Sequence, residues 1–180
     1  MKHISYLFAI ILIASMTACT AGGTKSTSSN EEVVVDSLLL ALEEEYGWNK
    51  KAGEEYLVQN RTKEGVIVTE SGLQYKIIKQ GTGTVAPSDT ARVIVNYVGT
   101  LIDGTVFTDS YKNNNGAPGK HYLHRVIGGW TEALSMMPAG SRWVIYLPQE
   151  LAYDKRERAE GLIKPFSTLI FDVELLGFEE

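Results

Sequence analysis

Between Tyr97 and Trp130 the chain sets out an apolar, aromatic pocket, with Phe107 between them, among glycine-rich stretches. Nothing beside them suggests covalent or metal chemistry. Ser110, Ser135 and Ser141 lack a base at recognisable spacing, which argues against a serine hydrolase. His121 and His124 would point to opposite faces of a strand, and no nearby cysteine or acidic cluster completes a metal set. No phosphate loop or dinucleotide fingerprint occurs, and no internal repeat. These absences narrow the chemistry that the pocket could do.

The residues around the rings are more specific than the rings themselves. The stretch Val93-Ile-Val-Asn-Tyr97-Val-Gly99-Thr-Leu-Ile-Asp103-Gly104-Thr-Val-Phe107 is answered by Val126-Ile127-Gly128-Gly129-Trp130, Leu151-Ala152-Tyr153 and Leu169-Ile-Phe171-Asp-Val-Glu-Leu175. Taken together, and over most of the chain from Gly65 to Gly177, they closely resemble the FKBP-type peptidyl-prolyl isomerases. The resemblance implies an α+β fold, an antiparallel sheet of about five strands wrapped around one short helix. It implies an enzyme without a cofactor, acting on X-Pro-containing polypeptides and open to the family's macrolide inhibitors.

Site roles follow from the same resemblance. Trp130 would form the floor under the proline ring, with Tyr97, Phe107 and Phe171 as walls and Val126 and Ile127 as an aliphatic side. The backbone N–H of Ile127 and the hydroxyl of Tyr153 would donate to substrate carbonyls, and Leu162 would close the rim.

Such a pocket has a physical task. Rotating an X-Pro bond crosses a barrier of about 18–20 kcal/mol because amide resonance is broken on the way. Unaided, this takes tens of seconds or longer. The planar imide is the more charge-separated state, so apolar walls in place of water favour the twisted form, and placed donors hold the carbonyl in its rotated position. No proton transfer or covalent intermediate is needed.

Three departures from the family pattern bear on activity. Phe107 is usually followed at once by an Asp that lines the pocket, whereas here Thr108 follows and the acid comes at Asp109. Neighbours on a strand point to opposite faces, so Asp109 reaches that spot only if the backbone bulges. Gly119 and His121 stand where bulky apolar residues are common, which thins that wall. The run Asp154-Lys-Arg-Glu-Arg158-Ala-Glu160 replaces a small, proline-rich loop. It reads as a solvated flap or as a charged selector of substrates or partners. Weakened catalysis with proline binding retained gives the alternative reading, a non-catalytic proline-peptide-binding chaperone on the same scaffold.

The elements that would hold these residues are mostly strands. Val93, Val95 and Tyr97 alternate with Ile94, Asn96 and Val98, and Leu169, Phe171, Val173 and Leu175 alternate with Ile170, Asp172 and Glu174. Arg142 to Leu147 reads as another strand. Trp130, Ala133, Leu134 and Met137 keep helical spacing until Pro138-Ala139-Gly140 stops them. Asn113-Asn114-Asn115-Gly116 is turn chemistry beside the pocket.

Upstream, residues 31–64 read as a helical segment. Asn30 can cap a first helix whose stripe of Val34, Leu38 and Leu42, joined by Val35, Leu39 and Tyr46, runs to Tyr46. Gly47 is expected to break it, and a second helix from Ala52 to Glu64 to end at Gly65. The junction Lys63-Glu64-Gly65-Val66 with Ser71-Gly72-Leu73-Gln74-Tyr75 resembles the Mip-like and FkpA-like branch of the family, whose members dimerise through a longer helical region. The stripe either joins two copies or packs on its own domain.

The amino terminus reads as an export signal, either of a lipoprotein or an ordinary secretory one with an incidental cysteine. Lys2 and His3, an apolar run from Ile4 to Met16, and Met16-Thr17-Ala18-Cys19 resemble a bacterial lipoprotein signal, too short in its apolar core to stay as a membrane span. Cleavage after residue 18 would leave Cys19 lipidated, anchoring the protein to a membrane, with residues 19–30 as a Gly/Ser/Thr-rich tether. Thr20 stands where an Asp would signal inner-membrane retention, so the expected location is the cell envelope, at the outer membrane facing the periplasm. As the only cysteine, Cys19 allows no disulfide within the chain. The isomerase domain itself, residues 65–180, must hold together by packing. The chain has 180 residues, 44% hydrophobic and 22% charged, and a net charge of −5, which suits one soluble domain with appendages and opposes nucleic-acid binding.

Overall fold

A computed structural model describes residues 28–85, 88 and 90–179, with side chains from residue 35 onward. Cys19, the signal segment before it and most of the tether lie outside the described residues. In chain order the elements are α1 (Ser28–Asn60), β1 (Val66–Val68), β2 (Gln74–Lys79), β3 (Arg92–Leu101), β4 (Val106–Asp109), α2 (Ser110–Asn113), β5 (Gly119–Tyr122), α3 (Gly128–Met136), β6 (Arg142–Leu147) and β7 (Leu169–Glu179).

The strand pairs are antiparallel, in the order β1-β2-β6-β7-β3-β4, with β5 pairing β3 beside β4. The architecture is the expected α+β arrangement with seven strands, among the described residues, in place of about five. The additional strands include β1, β4 and β5, only three or four residues each, too short to show an alternation in sequence.

The long strands obey the alternation. Val93 and Val95 of β3, Trp143, Ile145 and Leu147 of β6, and Leu169, Phe171, Val173 and Leu175 of β7 are all buried on one face. That face closes over Trp130, Ala133 and Leu134 of α3 and over Met137, which follows it. A bulge shifts the β3–β7 register between Ile94 and Val95, where Ile94 pairs with Gly177 and Val95 with Leu175. Leu176 is the extra residue and faces solvent, and the change of parity turns Phe178 back onto the core.

The amino-terminal segment differs from expectation. One helix runs from Ser28 to Asn60 straight through Gly47, whose surroundings are open. A helical glycine costs about 1 kcal/mol relative to alanine. The contacts beyond it offset this: the Asn49 amide donates to the Pro165 carbonyl at 2.8 Å and to Ser167 Oγ at 2.9 Å. At the other end Asn60 Nδ2 donates to Gln74 Oε1 at 3.0 Å, while Gln74 Nε2 donates to the Leu57 carbonyl at 2.9 Å. This buried pair ties the last turn of α1 to β2, and the helix ends at Asn60, before the Gly65 stop that the sequence suggests. Nearer the amino terminus Val35 and Leu38 are each 62% exposed, so the start of the apolar stripe does not pack on its own domain.

At Gly53 α1 lies close against the domain: a Cβ there would overlap the Thr168 hydroxyl and lie 3.0 Å from its Cβ. Gly53→Val is therefore expected to destabilise by about 1–3 kcal/mol, while Gly47→Ala, in open space, should stabilise by up to about 1 kcal/mol. Thermal unfolding of the two variants, with limited proteolysis to detect a released helix, checks this. Equal melting temperatures would show that α1 is not seated at Gly53.

Candidate functional site

A cavity of about 700 Å³ opens between α3, the β3–β4–β5 edge and the loop after β6. Its floor is the Trp130 indole, only 4% exposed yet part of the cavity wall. Other rings meet it edge-on: Tyr97 at 4.8 Å and 88°, Phe171 at 5.2 Å and 80°, His121 at 5.8 Å and 86°. Phe107 stands edge-on to Phe171 at 5.4 Å. Edge-to-face packing at these separations adds to the burial energy and fixes each ring plane.

The backbone explains the convergence. Tyr97 continues the inward parity of Val93 and Val95, and its partner across the sheet is Val173, two residues from Phe171. Trp130 enters with α3, which starts after Ile127 in extended conformation at φ −66° and ψ 150°. The Ile127 carbonyl accepts from the N–H groups of Trp130 and Thr131, while its own N–H is taken by no protein acceptor among the described residues. It borders the cavity together with Val126 and Tyr153 and is available as a donor.

Seven of the residues singled out in sequence, Tyr97, Phe107, Val126, Ile127, Trp130, Tyr153 and Phe171, thus line one cavity. Asp109 does not. A bulge does exist in β4, but one residue earlier than Asp109 would need: Thr100 pairs with Val106 and Gly99 with Thr108, leaving Phe107 as the extra residue. Phe107 and Thr108 consequently both face the cavity. Asp109 pairs with Val98 and caps α2, its carboxylate accepting from the Tyr111 N–H at 3.0 Å and sitting 3.3 Å from Lys112 Nζ.

Leu162 is also displaced. Left-handed backbone at Ala159, Glu160 and Gly161 turns the loop, so that Ile163, 2% exposed, faces the cavity. Leu162, 48% exposed, lines a smaller depression with Trp48, Leu101 and Thr168.

Other lining residues were not singled out for the site. Thr108 stands beside Tyr97, and its hydroxyl partly offsets the effect of burial, which pushes the Tyr97 phenol above its ordinary range. His121 takes part in the ring box, and burial pushes its imidazole below its ordinary value of 6.5. Gly119 makes room for it, since a Cβ there would lie 2.8 Å from His121 Nε2 and 3.2 Å from the Tyr97 ring. Arg125, Arg156 and Arg158 stand at the mouth with Glu150. The family pattern pointed to the His121 position, whereas the arginines carried no signal beyond the charge run that holds two of them.

Comparison with known proteins agrees with this geometry. Residues 83–176 match the family described as FKBP-type peptidyl-prolyl cis-trans isomerase, and residues 11–77 match the domain amino terminal to it. The FKBP-type 22 kDa peptidyl-prolyl cis-trans isomerase of Escherichia coli is 53% identical over 69% of this chain and 58% of its own length. Outer membrane protein MIP of Legionella longbeachae is 47% identical over 73% of this chain and 55% of its own. This chain thus spans little more than half the length of these relatives. The crystal structure of FkpA from Escherichia coli aligns with a TM-score of 0.69 at 38% identity, covering 84% of this chain and 68% of that one. A peptidyl-prolyl cis-trans isomerase from Pseudomonas syringae aligns with a TM-score of 0.68 at 33% identity, over 75% and 96%. By matched family, sequence relatives and fold, the chain belongs to the FKBP-type peptidyl-prolyl cis-trans isomerases.

Proposed function

We propose that this protein catalyses cis–trans isomerisation of X-Pro bonds in polypeptides of the bacterial cell envelope. The observation that carries the reading is the ring box of Tyr97, Phe107, Trp130 and Phe171, open on one side and bounded by the unpaired N–H of Ile127. A proline ring seated on Trp130 leaves water behind. Its imide then loses the solvation that favours the planar, charge-separated form, and the barrier to twisting falls. Ile127 N–H and the Tyr153 hydroxyl, both bordering the cavity, would hold flanking carbonyls as the bond turns. Binding and desolvation do the work, and no bond to the protein is made.

A second reading, in which the domain holds proline segments without turnover, is favoured by one observation: the cavity wall beside Phe107 carries Thr108 where the family commonly has a carboxylate. Location follows the amino-terminal pattern. We read residues 1–18 as a lipoprotein signal, Cys19 as the lipidated residue, and residues 65–180 as the isomerase domain carried on a tether and α1. The name of the Legionella relative places that protein in the outer membrane, in keeping with this reading. No described helix is long and apolar enough to cross a membrane.

Isomerisation of an X-Pro peptide, followed by a protease-coupled or NMR exchange assay, should be accelerated well above background. Trp130→Ala should lower kcat/KM by about tenfold or more, through the loss of buried contact. Tyr153→Phe, which keeps the packing, should lower it by about two- to tenfold, the worth of one hydrogen bond. Absence of acceleration at micromolar protein ends the catalytic reading. Suppression of aggregation that survives Trp130→Ala, Tyr97→Phe and Phe171→Ala would favour the holding reading.

The depressed His121 pKa carries a sign. Above the ordinary value of 6.5 both folded and unfolded chains hold it neutral. As pH falls through that value the unfolded chain takes a proton that the folded one resists, so stability is lost downward from there. His121→Phe should remove this component, and the melting temperature of the variant relative to the parent should rise between about pH 7.5 and pH 5.5. A constant difference across that window contradicts it.

Lipidation is tested by metabolic labelling with a fatty-acid analogue. The parent should be labelled and partition with membranes, and Cys19→Ala should be unlabelled.

A further inference from the structure

The cavity mouth has a charge the rest of the molecule does not share. The chain carries a net charge of −5, yet of the four charged residues lining the cavity three are arginines, Arg125, Arg156 and Arg158. Each is held in place by something other than a carboxylate. Arg125 Nε donates to His124 Nε2 at 3.3 Å, and its guanidinium lies over the Tyr122 ring at 5.5 Å. Arg156 Nε donates to the Tyr153 carbonyl at 3.3 Å. Arg158 donates to the Glu157 carbonyl at 3.0 Å and lies over the Tyr153 ring at 5.6 Å. No carboxylate lies within ion-pairing distance of any of the three among the described residues, although Glu157, the direct neighbour of both loop arginines, pairs with Lys164 at 3.1 Å. The one acid at the mouth, Glu150, accepts from Gln149 Nε2 at 2.6 Å.

The loop that presents Arg156 and Arg158 is built rather than loose. Arg158 and Ile163 exchange backbone hydrogen bonds at 3.0 and 3.1 Å, and the Phe166 N–H donates to the Asp154 carbonyl at 2.7 Å. Asp154, Ala159, Glu160 and Phe166 all adopt left-handed backbone conformations, with φ from 52° to 62°. Such backbone costs energy in non-glycine residues and persists only where surrounding contacts determine it. A merely solvated charge run would need none of this. Here the fold turns Arg156 and Arg158 to the cavity and leaves Lys155 and Glu160 off its lining.

We propose that these three arginines select substrates bearing an Asp or Glu within about two residues of the proline, a reach set by the roughly 3.3–3.6 Å that each extended residue spans. The inference rests on the isomerase site described above and deepens it by naming the substrate class. An extended peptide whose proline sits on Trp130 must leave across the mouth. Guanidinium groups already oriented by ring and carbonyl contacts lose little further freedom on meeting a carboxylate. Their remaining N–H donors match its two oxygens, and a basic mouth on an acidic protein also draws acidic segments toward it while they diffuse.

The test uses paired peptides that differ only by Glu or Gln, at the residue before proline and at one and two residues beyond on either side. Each pair is assayed with the full chain for kcat/KM and, with a fluorescent label, for affinity by anisotropy. The Glu/Gln ratio should reach about three- to tenfold for at least one position, the range of exposed to partly desolvated charge contacts. It should shrink toward one in about 0.5 M salt, where screening is short-ranged. Arg125→Gln, Arg156→Gln and Arg158→Gln, singly and together, should collapse the same ratio. Because each peptide is compared with its isostere on the same protein, loss of overall activity or stability in a variant does not imitate the effect, and the salt series on the parent needs no variant at all. Ratios near one at every position, with Gln peptides turned over normally, overturn the charge selection and leave the isomerase reading standing. Absence of turnover for all peptides defeats the isomerase reading instead, and the anisotropy ratio then decides the selection by itself.

Discussion

The pairing of β3 with β7, from Arg92 opposite Glu179 to Leu101 opposite Leu169, decides which side chains share the interior of this molecule. In an antiparallel pair the residues of one face recur every second position, and a slip of either strand by one would turn its ring, Tyr97 of β3 or Phe171 of β7, to the opposite face. The register is held by burial on one face, because Val93, Val95, Val173 and Leu175 are fully buried in the core that α3 shares. Tyr97 and Phe171 are the outer members of that same buried series. They reach the cavity because they continue the core pattern, and the site is the place where the core runs out of neighbours.

The other walls are supplied by irregularities rather than by regular strands. The bulge at Phe107 adds a ring and a hydroxyl to the cavity from adjacent positions, which an unbroken strand cannot do. Ile127 exposes its N–H because it stands at the start of α3, where the first donors of a helix have no partner within it. The loop after β6 contributes Ile163 through a run of left-handed residues. A regular framework sets the floor, and local departures from regularity shape the mouth.

This division also explains what could be read from the amino-acid sequence. Alternation around Val93 to Tyr97 and Leu169 to Leu175, and the helical spacing of Trp130 to Met137, record burial on one face and are visible without coordinates. The family resemblance brought together Tyr97, Phe107, Trp130 and Phe171, which local patterns alone could not join. Asp109 and Leu162 were each misplaced by one residue, and for one reason: the direction of a side chain in a bulge or a left-handed turn depends on where the backbone irregularity falls. Gly47 shows the converse. Local propensity predicted a break, but the tertiary contacts of Asn49, Gly53 and Asn60 hold the helix through it.

Thr108 and His121 make the box more polar than an all-hydrocarbon pocket, yet both are uncharged additions, compatible with the proposed isomerisation. What lowers the barrier to imide rotation is the loss of solvation for the planar dipole, and the groups most able to restore that solvation are water and fixed charges near the reacting bond. An uncharged threonine hydroxyl that accepts from the Asn113 amide offers neither. An imidazole whose protonation is opposed by its burial stays neutral at physiological pH. Charge is kept to the rim, where Arg125, Arg156 and Arg158 line the cavity and where, in the proposed reading, they would meet residues flanking a proline seated on the rings. The interior can therefore exchange one uncharged side chain for another at modest cost, whereas a charge set among Tyr97, Trp130 and Phe171 would give back to the planar imide the stabilisation that leaving water had removed.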